Sequence, residues 1–200
     1  MVDIVIATRN PGKVRELQSL LDSVDVHLLS LDDFDQIGEV EETGNTFEEN
    51  ALLKATEVAK ATGYVTIADD SGLMVDVLDG RPGVLSARYA GDNASDSDNN
   101  KKLLNELKDL PLEKRDAAFV CVIASADPKG KHILTRGVCR GKIALEEKGQ
   151  GGFGYDPLFF PAQYDCTMAE ISPEIKNSIS HRALAVEELK KLLPSFLAQL

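Results

Sequence analysis

No stretch of this 200-residue sequence is long and apolar enough to span a bilayer, which takes about 20 consecutive apolar residues. That excludes a helical membrane protein. Basic residues are in deficit, 22 Lys and Arg against 33 Asp and Glu, for a formal net charge of -11. Such a surface repels long polyanions and anionic lipid, so nucleic-acid polymers and membranes are excluded as non-specific partners. A small anion in a locally basic pocket is not excluded. The three cysteines, Cys121, Cys139 and Cys166, are odd in number and form no CxxC, which argues for buried, reduced thiols in a cytoplasmic protein. The opening "MVDIVIATRN" has no basic leader region, and its apolar run stops at Arg9, so it does not read as a signal peptide. Linkers, low-complexity tracts and internal repeats are also missing. Residues 1–200 therefore read as a single domain, and 43% hydrophobic content suffices for one sizeable core or two lobes sharing one.

Strand and helix signals interleave along the chain. "VDIVIA" reads as a short buried strand, followed by "TRNPGK" and a helix with Val14, Leu17, Leu20 and Leu21 at helical spacing. Asn10 suits an N-cap and Pro11 the first helical position. Residues 31–45 are acidic and irregular. "TFEE", residues 46–49, reads as a capping box, and Gly63 ends the helix it opens. "YVTIA" and "LMVDVL" read as two strands flanking Asp69 and Asp70. "NKKLLNELKDL" is an amphipathic helix stopped by Pro111. "AAFVCVIASA" and "KHILTRGVCRGKIAL" form a hairpin signal around "DPKG". The last helix carries Ala185, Leu189, Leu192, Leu193 and Phe196 on one stripe. Hairpins together with strand–helix alternation predict an α/β fold with a long mixed β-sheet and flanking helices.

Six places carry chemistry. "TRNPGK", residues Thr8 to Lys13, joins a strand to a helix, where unpaired N–H groups and the helix dipole attract anions. It is no Walker A loop, since GxxxxGK[ST] is absent, and Asn-Pro-Gly serves equally well as a plain cap. Asp69 and Asp70 stand between apolar runs. In extended chain only one of them faces a given cleft, so the other pairs elsewhere, and Asp-Asp-Ser-Gly is also good turn chemistry. Glu41 and Glu42 precede a capped helix, and a carboxylate from there could share Mg²⁺ with the aspartate pair. Lys54 is either a solvated lysine or a second phosphate-binding cation. Finally, "GQGGFGYDPLF" brings backbone groups close to a ligand and offers Phe153 for stacking on a base, or is a flexible loop with one packed aromatic. Lys176, His181 and Arg182 are either solvated groups about a helix start or, with His181 protonated, a donor cluster suited to a keto oxygen.

Seven motifs, "TRNPGK", "EETGNTFEENALLKA", "ADDSGL", "PGVLSARYAG", "GGFGYDPLF", "TMAEIS" and "KNSISHRALA", occur in this order from residue 4 to about residue 193. Together they closely resemble the inosine/xanthosine triphosphate pyrophosphatase family, house-cleaning enzymes for non-standard purine nucleotides. The resemblance implies two lobes around a central cleft and a cytoplasmic homodimer. It implies Mg²⁺-dependent hydrolysis of ITP, dITP and XTP to the monophosphate and pyrophosphate. Carried over by motif, Thr8, Arg9, Asn10, Pro11, Gly12 and Lys13 bind the triphosphate, and Lys54 contacts phosphate. Asp70 is proton acceptor and metal ligand, Glu41 is the second ligand, and Ser71 contacts substrate. Phe153, Gly154, Tyr155, Asp156, Lys176, His181 and Arg182 bind the nucleoside. The alternative is a non-catalytic purine-nucleotide sensing module, which would need the phosphate and base ends but not the carboxylates.

Overall fold

A computed structural model describes residues 2–34, 36–38 and 40–200, so Asp35 and Glu39 of the acidic stretch lie outside the described residues. Six strands form one sheet in the order β2-β1-β3-β4-β5-β6: β1 (Val2–Ile6), β2 (Val26–Ser30), β3 (Val65–Val75), β4 (Asp116–Ala126), β5 (His132–Ile143) and β6 (Phe159–Pro161). β1 runs parallel to both β2 and β3, whereas β5 and β6 are antiparallel, so the sheet is mixed as expected. The helices are α1 (Pro11–Leu21), α2 (Phe47–Thr62), α3 (Asp96–Leu107), α4 (Pro173–Ile179) and α5 (His181–Leu197). None of the described helices is long and apolar enough to cross a membrane.

Local chemistry sets the helix ends. Asn10 accepts from the Gly12 and Lys13 N–H groups at 2.9 and 3.2 Å, and Pro11 follows at the first helical position. Thr46 caps α2 through the Glu49 N–H at 3.1 Å. Only half of the expected box forms, because the Glu49 carboxylate turns to the Asn45 N–H at 2.6 Å. Gly63 closes α2 in the left-handed region at φ +77°. A full reciprocal box forms at Ser95 and Asp98, which starts α3 earlier than the apolar pattern indicated.

The chain folds as two compact units: residues 1–70, 121–137 and 182–200 form one, and residues 71–120 and 138–181 the other. The first has a core of Ile4, Ile6, Leu17, Leu21, Ile67, Cys121, Ile123, Val186, Leu189 and Leu193. The second is built around Leu73, Val75, Leu103, Leu107, Phe119, Ile143, Leu158 and Phe159. Each large apolar side chain buried this way contributes about 1.5–3 kcal/mol. In the α5 stripe Leu192 alone is exposed, at 42%, because Leu193 takes the inward position. Cys121 and Cys139 are buried, and burial pushes their thiols up to about 12 and 11, while Cys166 is only half-buried. The two strands expected around the aspartate pair are in fact one. β3 runs unbroken through Asp69, Asp70, Ser71 and Gly72.

Candidate active site

Because β3 is continuous, Asp69 and Asp70 project in opposite directions, and their surroundings diverge. Asp69 is 1% exposed. Its Oδ2 lies 3.1 Å from Lys13 Nζ and 3.0 Å from Arg182 Nη2. Burial works to raise its pKa, but Lys13, Arg182 and Lys54 overcome it and hold the carboxyl well below the usual carboxylate range. Asp70 is 5% exposed. Its Oδ1 lies 3.6 Å from Lys54 Nζ, and the Asn50 amide stands against it. Here burial prevails, with the Glu42 charge adding to it against Lys54 and Lys13, and the carboxyl is pushed up to about 6.

Lys54 joins these groups. From the middle of α2 its Nζ donates to the Asp69 carbonyl at 2.6 Å and to Glu42 Oε1 at 2.7 Å. Burial lowers its pKa, but Asp70, Asp69 and Glu42 more than offset this and keep it an ammonium. Lys54 is thus a buried cation rather than a solvated lysine. Of the two adjacent glutamates, the structure brings Glu42 to Lys54 and Asp70, while Glu41 is exposed to solvent.

At the α1 start the capping role of Asn10 is realised, and Thr8 Oγ1 accepts from the Asn10 N–H at 3.2 Å. Lys13 points to Asp69, whereas Arg9 pairs with Asp32 at 2.6 Å and donates to the Ile37 carbonyl at 2.8 Å. Arg182 is 1% exposed and also pairs with Glu16 of α1. Glu16 was not singled out in the sequence, although it lies three residues after Lys13 on the same helix face. Asn50 was also missed as a partner of Asp70, whereas Glu42 was one of the two carboxylates considered for the aspartate pair.

In the second unit the glycine loop carries Phe153 and Asp156. Asp156 Oδ2 accepts from the Phe153 N–H at 2.9 Å and pairs with Lys176 Nζ at 2.7 Å. Lys176 also stands 4.8 Å from the Phe153 ring centroid. A Cβ at Gly152, where φ is +74°, would come within 2.0 Å of Asp156 Oδ2, so glycine is required there. Tyr155 is buried and donates its hydroxyl to the Ser86 carbonyl at 2.8 Å. His181 lies parallel to Phe119 at 4.7 Å. Phe153, Asp156 and Lys176 are thus brought together as expected, while Tyr155 and His181 are braced by the scaffold.

No cluster of three or more His, Cys, Asp or Glu able to hold a metal occurs among the described residues. Two carboxylates suffice for Mg²⁺, which completes its shell with water and phosphate oxygens. Asp70 and Glu42 form such an oxygen-only pair, and the Lys54 ammonium beside both shows that the pair attracts positive charge. These residues fit a hard divalent cation.

The Ham1 family model matches residues 4–192. A dITP/XTP pyrophosphatase of Geobacter sulfurreducens is 55% identical over 190 residues, covering 95% of this chain and 96% of that protein. One of Bacillus cereus is 48% identical over 198 residues, covering 98% and 97%. The solved structure of the Staphylococcus aureus Ham1 protein superimposes with a TM-score of 0.86 at 44% identity, covering 96% of this chain and 98% of that one. A HAM1 protein from Coxiella burnetii gives 0.89 at 42% identity, covering 98% and 100%. Fold, motif order and near end-to-end similarity coincide, and the chain belongs to the Ham1 family.

Proposed function

We propose that this protein hydrolyses non-canonical purine nucleoside triphosphates, ITP, dITP and XTP, to the monophosphate and pyrophosphate, clearing them from the nucleotide pool. The observation that carries the reading is Lys54 held between Glu42 and Asp70, with Lys13 beside Asp69. One buried and one half-buried cation suit a polyphosphate, and two carboxylates suit the cation that accompanies it. The names of the relatives, dITP/XTP pyrophosphatases, support the same substrate class.

Mg²⁺ held by Asp70 and Glu42 would neutralise the charge that develops on the departing pyrophosphate. The remaining roles belong to the chain. Thr8 to Lys13, with Arg9 at the rim, bind the triphosphate through Lys13 and the α1 start. Lys54 adds a second phosphate contact, and Ser71 a third. Asp70 takes the proton of the attacking water. A free aspartate, with a pKa of about 3.9, is a weak base for this step. Raised to about 6 by burial, Asp70 is a better one. Phe153 stacks on the purine, and Lys176, His181 and the loop N–H groups donate to its 6-keto oxygen. Adenine would present an amine to those donors and leave them unpaired. Arg182, through Asp69, holds Lys13 in place.

The same reading places the enzyme in the cytoplasm as a homodimer acting on small nucleotides. A sensing module has no observation in its favour, since it would not need the two carboxylates, Asp70 and Glu42, that stand beside Lys54. The test is to incubate the protein with dITP, XTP, GTP and ATP, with Mg²⁺ or EDTA, and to resolve pyrophosphate from orthophosphate. Pyrophosphate from dITP and XTP, lost in EDTA, is expected. Orthophosphate, or tight binding without turnover, would overturn the assignment.

A further inference from the structure

Residues 149 to 156 contain four glycines, and Gly149, Gly152 and Gly154 have left-handed φ angles of +81°, +74° and +62°. Such a segment loses much conformational entropy on ordering, and a ligand that had to order it would bind more weakly for it. In the structure, α3 does the ordering at Gly154. The Gly154 N–H donates to Asp96 Oδ2 at 2.7 Å, and its carbonyl accepts from Asn100 Nδ2 at 3.2 Å. Asp96 and Asn100 are one helical turn apart, so one face of α3 grips both polar groups of a single residue. Neither is needed to start the helix, because the Ser95–Asp98 box does that. The neighbours of Gly154 are tied separately, Tyr155 to Ser86 and Asp156 to Phe153 and Lys176.

Asn100 keeps this position at a cost. It is 3% exposed, and its Oδ1 has no hydrogen-bond partner among the described residues. An apolar side chain of similar size would avoid that desolvation penalty but would leave the Gly154 carbonyl without this donor. The unpaired Oδ1 thus accompanies the bond that Nδ2 makes to the loop.

We propose that Asp96 and Asn100 are positioning residues for nucleoside recognition, holding Gly154 in its left-handed conformation so that Phe153 and the loop N–H groups face the purine before it arrives. This rests on the reading that the 153–156 loop receives the nucleoside. Neither residue touches the substrate. They act through the shape of the loop, so their loss weakens substrate binding and spares the chemical step.

The test compares Asn100→Leu, Asp96→Ala, Asp96→Asn and Phe153→Ala by steady-state kinetics on dITP, amide hydrogen exchange at Gly154 and thermal melting. Asn100→Leu should raise KM about tenfold, keep kcat within about twofold, and leave a folded protein with a single thermal transition. Asp96→Ala should raise KM and speed exchange of the Gly154 amide. Asp96→Asn, which keeps an acceptor but not the charge, should restore both. If Asp96→Asn is as damaging as Asp96→Ala, the charge at the helix start is what matters and the grip on Gly154 is refuted. An Asn100→Leu protein with a reduced kcat or an unchanged KM also overturns the proposal. An unchanged KM in the two α3 variants beside a raised KM in Phe153→Ala defeats the α3 role alone. An unchanged KM in Phe153→Ala defeats the loop reading on which it rests.

Discussion

Arg182 Nη2 reaches Asp69 Oδ2 at 3.0 Å across 113 residues of sequence, and both side chains are at most 1% exposed. With Lys13 on the same oxygen, Asp69 is a fully ionised anchor. Its neighbour Asp70 is pushed the opposite way. Adjacent titratable groups driven apart by their surroundings divide into distinct roles, and under the proposed function these are one structural and one chemical.

The anchor should be costly to remove. Asp69→Asn leaves Arg182 and Lys13 facing a neutral amide in a buried site, and removing one member of a buried ion pair typically costs about 3–5 kcal/mol. Urea unfolding should show a loss of that order. A loss below about 1 kcal/mol would mean that Glu16 alone satisfies Arg182.

Asp70 should show itself in the pH dependence of the metal-free protein. Its folded carboxyl titrates at about 6, above the unfolded value of about 3.9. The group therefore contributes stability that is fully present below about pH 4 and is lost as pH rises through about 6. In EDTA, Asp70→Asn should erase the part of the melting-temperature fall that occurs between about pH 4 and about pH 6. With Mg²⁺ it should cut turnover about a hundredfold or more while substrate binding is largely kept. Wild-type turnover should rise from acid toward alkaline pH. A flat profile would remove Asp70 from the role of base.

Lys176 pairs with Asp156 and stands over Phe153, so its loss should weaken nucleoside capture. Lys176→Ala is expected to raise KM for dITP more than Asp70→Asn does, with the smaller effect on kcat. The reverse pattern would exchange the two assignments.

The two adjacent glutamates give a direct comparison. Glu42→Gln should raise the Mg²⁺ concentration for half-maximal activity about tenfold, whereas Glu41→Gln at an exposed position should stay within about twofold. A Mg²⁺ titration that responds to Glu41 and not to Glu42 would return the metal to Glu41.

Arg115 offers a purely structural test. It is 2% exposed and donates to three backbone carbonyls, Leu110 at 3.0 Å and Ala144 and Leu107 at 2.8 Å each. A lysine has no planar fork to serve all three. Arg115→Lys should destabilise the protein by about 2 kcal/mol or more, with KM and kcat for dITP unchanged at low temperature.

Local physics was readable from the chain alone. The cap at Asn10, the helix stop at Gly63 and the glycine requirement of the 149–156 loop are each settled within a few residues, by orphan N–H groups and by φ angles that only glycine adopts freely. Strand alternation also predicted that Asp69 and Asp70 would part company. Tertiary structure decided the rest. Asp-Asp-Ser-Gly is turn chemistry in isolation, yet β3 stays extended because its place in the sheet and the cations around its carboxylates outweigh the local preference. That Glu42 meets Lys54 while Glu41 faces solvent depends on where one irregular segment turns a side chain, and no periodicity encodes that. The partner of Arg182 is 113 residues away, and only the folded chain brings the two charges into a medium where their attraction outweighs the cost of burying them.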